Sequence, residues 1–122
     1  MRLLIVDDSS IVRRIIERHF RNHAITEIYE ASNGQKALEV YREKAPDLVT
    51  MDITMPEMDG LSAVRHIMEI NPKARILVIS ALADAATAVE AVKLGARGFL
   101  CKPFTAAELD EAFVDILEIS AA

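Results

Sequence analysis

Apolar residues along the chain follow two rhythms. Arg2 to Val6 (R-L-L-I-V), Leu48 to Met51 (L-V-T-M) and Arg75 to Ser80 (R-I-L-V-I-S) are short, nearly continuous runs, the pattern of strands covered on both faces. Glu27 to Ala31 and Gly98 to Cys101 read as two shorter strands. Between them the spacing changes to helical. Ile11, Val12, Ile15, Ile16, His19 and Phe20 form one apolar stripe, and Ala37, Leu38 and Tyr41 a second. Leu61, Val64, Ile67 and Met68 face inward on a third helix, Ala85 to Leu94 form a fourth, and Leu109, Phe113, Ile116 and Leu117 face inward on a last one.

Punctuation agrees with the rhythm. Asp7-Asp8 stops the first strand, and Ser9 or Ser10 caps the helix after it. Ser32-Asn33-Gly34 is a turn, Ala45-Pro46 ends the second helix, Gly60 begins the third and Asn71-Pro72 closes it. Asp84 caps the fourth helix and Gly95 ends it. Thr105 to Glu108 matches a capping box, in which each side chain satisfies a backbone amide of the other residue. Strand and helix alternate five times with short connections, without repeat or linker. This predicts an α/β, doubly wound parallel sheet with helices on both faces, as one domain over residues 1–122.

Composition narrows the class of function. Of 122 residues, 52% are apolar and 27% charged, which excludes a disordered chain. The run Leu3 to Val6 is too short for a signal-peptide core or a membrane span. A single cysteine, Cys101, excludes an internal disulfide framework, and with no export signal a cytoplasmic protein is expected. The net charge of −5 disfavours direct nucleic-acid binding through the overall field.

The chemistry collects at the strand ends. Past the first strand stand Asp7 and Asp8, past the third Asp52, at the end of the fourth Ser80, and past the fifth Lys102. In a parallel sheet these ends share one edge, where ligands of open α/β sheets bind. Two carboxylates about 4 Å apart repel by roughly 4 kcal/mol at an effective dielectric of 20, so three of them beside one lysine call for either raised pKa values or a cation. Hard oxygen donors suit Mg²⁺. His19 and His23 lie four apart on a helix but lack a third ligand nearby in sequence. With a metal beside it, Asp52 can act as a nucleophile toward phosphorus, forming an acyl phosphate. Lys102 would neutralise equatorial oxygens and Ser80 would donate to one.

At these residues the chain resembles a response-regulator receiver domain, over essentially its whole length. The matching pieces are I-V-D-D-S at Ile5 to Ser9, M-D-I-T-M-P-E-M-D-G at Met51 to Gly60, I-S-A at Ile79 to Ala81 and G-F-L-C-K-P-F at Gly98 to Phe104. Each is weak alone; four in register are specific. The resemblance implies a (βα)5 sheet of order 2-1-3-4-5, with Asp52 as phosphoacceptor. It implies Mg²⁺ bound by Asp8, Asp52 and the backbone carbonyl of Thr54, with Asp7 acting mainly through water. It further implies Lys102 on the phosphoryl oxygens, a cis Lys102-Pro103 bond, and Ser80 with Phe99 as a switch pair. Its partners would be a histidine kinase or histidine phosphotransfer protein and a protein output target. The protein would promote its own phosphorylation and slow dephosphorylation without being an enzyme in the ordinary sense.

Other features refine this expectation. The first helix carries Arg13, Arg14, Arg18 and Arg21 against one acid, Glu17, which reads either as a solvated face or as a docking face for a phosphodonor helix pair. The fourth helix is alanine-rich (Ala85, Ala86, Ala88, Ala91) and should be anchored less firmly than its neighbours. Cys101 reads as packing, and Met55 and Met58 stand in the loop beside Asp52 where they would tune access, while the small Ala81 leaves the approach open. The stretch G-A-R-G-F at Gly95 to Phe99 and a last helix without lysine or arginine resemble stand-alone, chemotaxis-type receivers, and a monomer is expected. A receiver cut from a longer regulator with its own output domain is the alternative. An aspartyl-nucleophile phosphatase would need a second acid two residues after Asp52, where this chain has Thr54. A flavodoxin-like cofactor binder is disfavoured because Asp7-Asp8 would repel a phosphate.

Overall fold

A computed structural model describes residues 1–20, 25–53, 59–81 and 85–121, with residues 85 and 117–121 described by backbone only. Five strands alternate with five helices: β1 Arg2–Val6, α1 Ser10–Phe20, β2 Glu27–Ala31, α2 Gly34–Lys44, β3 Leu48–Met51, α3 Gly60–Ile70, β4 Arg75–Ser80, α4 Ala85–Leu94, β5 Gly98–Cys101 and α5 Ala106–Ala121. All strand pairs are parallel, in the order β2-β1-β3-β4-β5. Both the expected class and the expected order are therefore found.

Alternation along each strand sorts side chains between two layers. Leu4, Val6, Val49, Met51, Ile76 and Val78 meet Leu38, Tyr41, Val64, Ile67 and Ala91 from α2, α3 and α4. Leu3, Ile5, Leu48, Leu77, Ile79 and Leu100 meet Ile16, Phe20, Leu109, Phe113 and Ile116 from α1 and α5. Phe20 and Phe113 join the two helices of this second layer, with ring centroids 4.5 Å apart. Within the first layer Asn71 Nδ2 donates to the Tyr41 hydroxyl at 3.1 Å, and burial pushes that phenol's pKa up.

Helix ends carry their own chemistry. Ser9 Oγ, rather than Ser10, accepts from the Val12 amide at 3.3 Å. Asn33, read from sequence as part of a turn, accepts from Lys36 at 2.8 Å, and Asp59 accepts from Ser62 at 2.9 Å. The capping box closes in both directions, from Glu108 N to Thr105 Oγ1 at 3.1 Å and from Thr105 N to Glu108 Oε1 at 3.0 Å. Gly95 ends α4 with φ +117°, a region that favours glycine. Asp84, expected to cap α4, lies outside the described residues.

One expectation fails on α1. The stripe is wider than the face that the sheet can cover: Ile16 and Phe20 are buried and Val12 is partly covered, while Ile11 is 71% and Ile15 51% exposed. A helix lying on a sheet buries about 100° of its surface. Ile11 and Ile15, one turn apart, fall on a neighbouring face.

Candidate functional site

The parallel ladder continues one residue past the strands and so sets the site. The Asp7 amide donates to Ala31 O at 3.1 Å, and the Asp52 amide donates to Val6 O at 2.9 Å. Two acids from β1 and β3 are thereby held at one level. Both are buried, at 1% and 2% exposure, whereas Asp8 is exposed. Each of the three offers a carboxylate oxygen, and these oxygens lie within 4.8 Å of one another.

Lys102 arrives from the far edge. Its amide donates to Ser80 O at 2.8 Å, which ties the end of β5 to the end of β4. Its Nζ donates to Asp7 Oδ2 at 2.7 Å and stands 3.6 Å from Asp52 Oδ2. The peptide bond to Pro103 is cis. Ser9 N donates to the other Asp7 oxygen at 2.9 Å. One ammonium between two buried carboxylates, with a third nearby, leaves an excess of negative charge. Burying unbalanced charge is costly, and the three carboxylates are close enough together that they could hold a cation.

Donor chemistry fits Mg²⁺, since all three groups are hard oxygens and one faces water, as suits an ion that keeps part of its hydration. Thr54, Met55, Pro56 and Met58 lie outside the described residues. Gly60, read from sequence as the start of the third helix, has a further role. A Cβ there would overlap the carbonyl of Asp52 and the Cα of Ile53, so glycine alone lets α3 start against the strand end that carries Asp52.

Ser80 is fully buried at the end of β4. Phe99 is partly buried and packs with the layer that contains Ala91 and Leu94 of α4. Val78 pairs with Phe99 in register and Ser80 with Cys101, so Ser80 and Phe99 point to the same side of the sheet. His19 is not near this cluster. Its Nε2 lies 2.7 Å from Asp110 Oδ1, joining α1 to α5, and His23 is outside the described residues.

Sequence reasoning missed one group. Arg13, counted among four arginines of a surface face, donates from Nη1 to Asp7 O at 2.6 Å and from Nε to Glu30 Oε1 at 3.0 Å. No motif marks it; only the packing of α1 over the ends of β1 and β2 brings it there.

A carboxylate flanked by an ammonium and a cation-taking pair is placed to meet an anionic electrophile. The fold and this constellation define the class, and comparison with known proteins agrees. The family model for the response regulator receiver domain matches residues 3–114, and the chain belongs to that family. It is 45% identical over 111 residues to the chemotaxis protein CheY of Thermotoga maritima, covering 91% of this chain and 92% of that protein. The CheY of Bacillus subtilis is 44% identical over the same shares of the two chains. Among solved structures, the CheX-CheY-BeF3-Mg complex from Borrelia burgdorferi aligns with a TM-score of 0.92 at 32% identity, covering 96% of this chain and 89% of that one. The chain is thus a receiver domain of CheY type. No helix among the described residues is long and apolar enough to cross a membrane.

Proposed function

We propose that the protein is a phosphorylation-dependent signalling switch in which Asp52 accepts a phosphoryl group from a phosphohistidine donor. One observation carries the reading: Lys102 Nζ lies between Asp7 and Asp52, while Asp7, Asp8 and Asp52 converge within 4.8 Å. In the step, an Asp52 oxygen forms a bond to phosphorus as the bond from phosphorus to the donor imidazole nitrogen breaks, without change of oxidation state. Asp7, Asp8 and Asp52, with the Thr54 carbonyl, would hold Mg²⁺, which supplies charge neutralisation at the phosphoryl oxygens. Lys102 orients and neutralises the same oxygens. The Borrelia relative, solved with BeF3 and Mg²⁺, supports this assignment by its similarity.

Ser80 then donates its hydroxyl to the phosphoryl group and Phe99 turns inward, changing the surface formed by α4, β5 and α5. The shared side of Ser80 and Phe99 and the light anchoring of α4 support this route. The donor docks on α1. Exposed Ile11 and Ile15, flanked by exposed Arg14 and Arg18, adjoin a cleft of about 410 Å³ that reaches Lys102 along Val12, Ile15, Ala81, Pro103 and Phe104. Apolar residues beside arginines fit an amphipathic helix with an acidic flank, here the one bearing the phosphohistidine. The output target is a protein that reads the phosphorylated receiver in a chemotaxis-type pathway.

The test is intact-mass measurement after incubation with a small acyl phosphate and Mg²⁺. The parent chain gains one phosphoryl group and Asp52→Asn gains none; an equal yield in Asp52→Asn overturns the assignment.

A further inference from the structure

We propose that Arg13 is a positioning residue for the acidic cluster, fixing the peptide unit between Asp7 and Asp8 and thereby setting how tightly the cluster binds a divalent cation. This rests on the function proposed above. Arg13 differs from the other described arginines of α1: its side chain is 17% exposed, while Arg14 and Arg18 are exposed. Its fork spans two strand ends, with Nη1 on Asp7 O at 2.6 Å and Nε on Glu30 Oε1 at 3.0 Å.

The accepting carbonyl matters more than the ion pair. Glu30 is 45% exposed, and a pair so open to water contributes little energy by itself. The carbonyl of Asp7 belongs to the peptide plane that also holds the Asp8 nitrogen, and that plane is rigid. Asp7 is held at its other polar atoms by Ala31, Ser9 and Lys102. Asp8 is exposed, so where its carboxylate can reach depends on the position of the backbone that carries it. Clamping that carbonyl therefore places the backbone of the one acid of the cluster that faces water. Glu30, the penultimate residue of β2, holds the guanidinium in place, and so the second strand also serves the site.

Calorimetric titration of the whole chain with Mg²⁺ tests this. Groups that hold metal ligands in place commonly alter affinity by 10–100-fold, so Arg13→Ala is expected to bind Mg²⁺ about tenfold more weakly. Arg13→Lys loses the fork and should bind about threefold more weakly, an intermediate loss that marks geometry rather than charge. Lys36→Ala removes a positive charge from the first turn of α2 and should stay within about twofold of the parent. In phosphorylation by a small acyl phosphate, Arg13→Ala should need more Mg²⁺ for half-maximal rate but approach the parent rate at saturation. An Arg13→Ala chain that is folded by circular dichroism and binds Mg²⁺ as the parent does overturns the role. Where Arg13→Ala does not fold, unchanged affinity in Arg13→Lys overturns it. A parent chain that binds no Mg²⁺ instead overturns the proposed function.

Discussion

The helices α1 and α5 on one face and α4 on the other are attached to the same sheet in different ways. The first pair buries Ile16, Phe20, Leu109, Phe113 and Ile116, stacks Phe20 near Phe113, and is bridged by His19 and Asp110. Among the described residues of α4, Ala91 alone is fully buried, while Val89 and Val92 are 51% and 57% exposed. Buried apolar area stabilises at about 25 cal/mol per Å², and alanine has little to bury. The pair α1 and α5 is a fixed wall, and α4, beside the better-anchored α3, is a light panel. The panel lies on the side that Ser80 and Phe99 face.

The comparison can be broken most severely at Phe20. Replacing this fully buried ring by alanine should cost about 3–5 kcal/mol in urea unfolding, as for other buried aromatic truncations. A loss no greater than that of Val92→Ala, expected below about 0.5 kcal/mol at an exposed site, would remove the contrast. Hydrogen exchange gives the next largest effect. Backbone amides of α4 should exchange about tenfold faster than those of α5 in the unphosphorylated chain, and their protection should change with a phosphoryl analogue. Equal protection in both states would count against α4 as the moving element.

A smaller effect sharpens the picture of the fixed wall. Among the described residues Thr50 Oγ1 is a buried side-chain atom without a hydrogen-bond partner, on β3 beside Ile5 and Leu77. Thr50→Val removes an unsatisfied hydroxyl at nearly constant shape and should raise stability by about 1 kcal/mol, measured as a shifted urea midpoint. The smallest expected change is at the bridge between α1 and α5. Asp110 is 49% exposed, so Asp110→Ala, which cuts the bridge at its open end, should cost about 0.5 kcal/mol or less in urea unfolding.

Strand positions were legible because buried parallel strands write continuous apolar runs, and the site was legible because its acids, hydroxyl and amine each follow such a run. What sequence hid depends on packing between distant segments. Ile11 and Ile15 share the helical spacing of Ile16 and Phe20, and only the width of the sheet contact decides which pair is covered. Arg13 looks like Arg14 until α1 lies across the ends of β1 and β2. Gly60 reads only as a helix start, although its missing side chain is what admits the backbone of Asp52.

Lys102 and Asp7, 2.7 Å apart in space, stand 95 positions apart along the chain. Bringing such distant ends together carries a loop-closure cost that a partly folded chain does not recover. A nascent, truncated or half-unfolded copy therefore has the aspartate but not its surroundings. On the proposed function, only copies whose first and last strands have found the same sheet would hold Lys102 beside the phosphoacceptor.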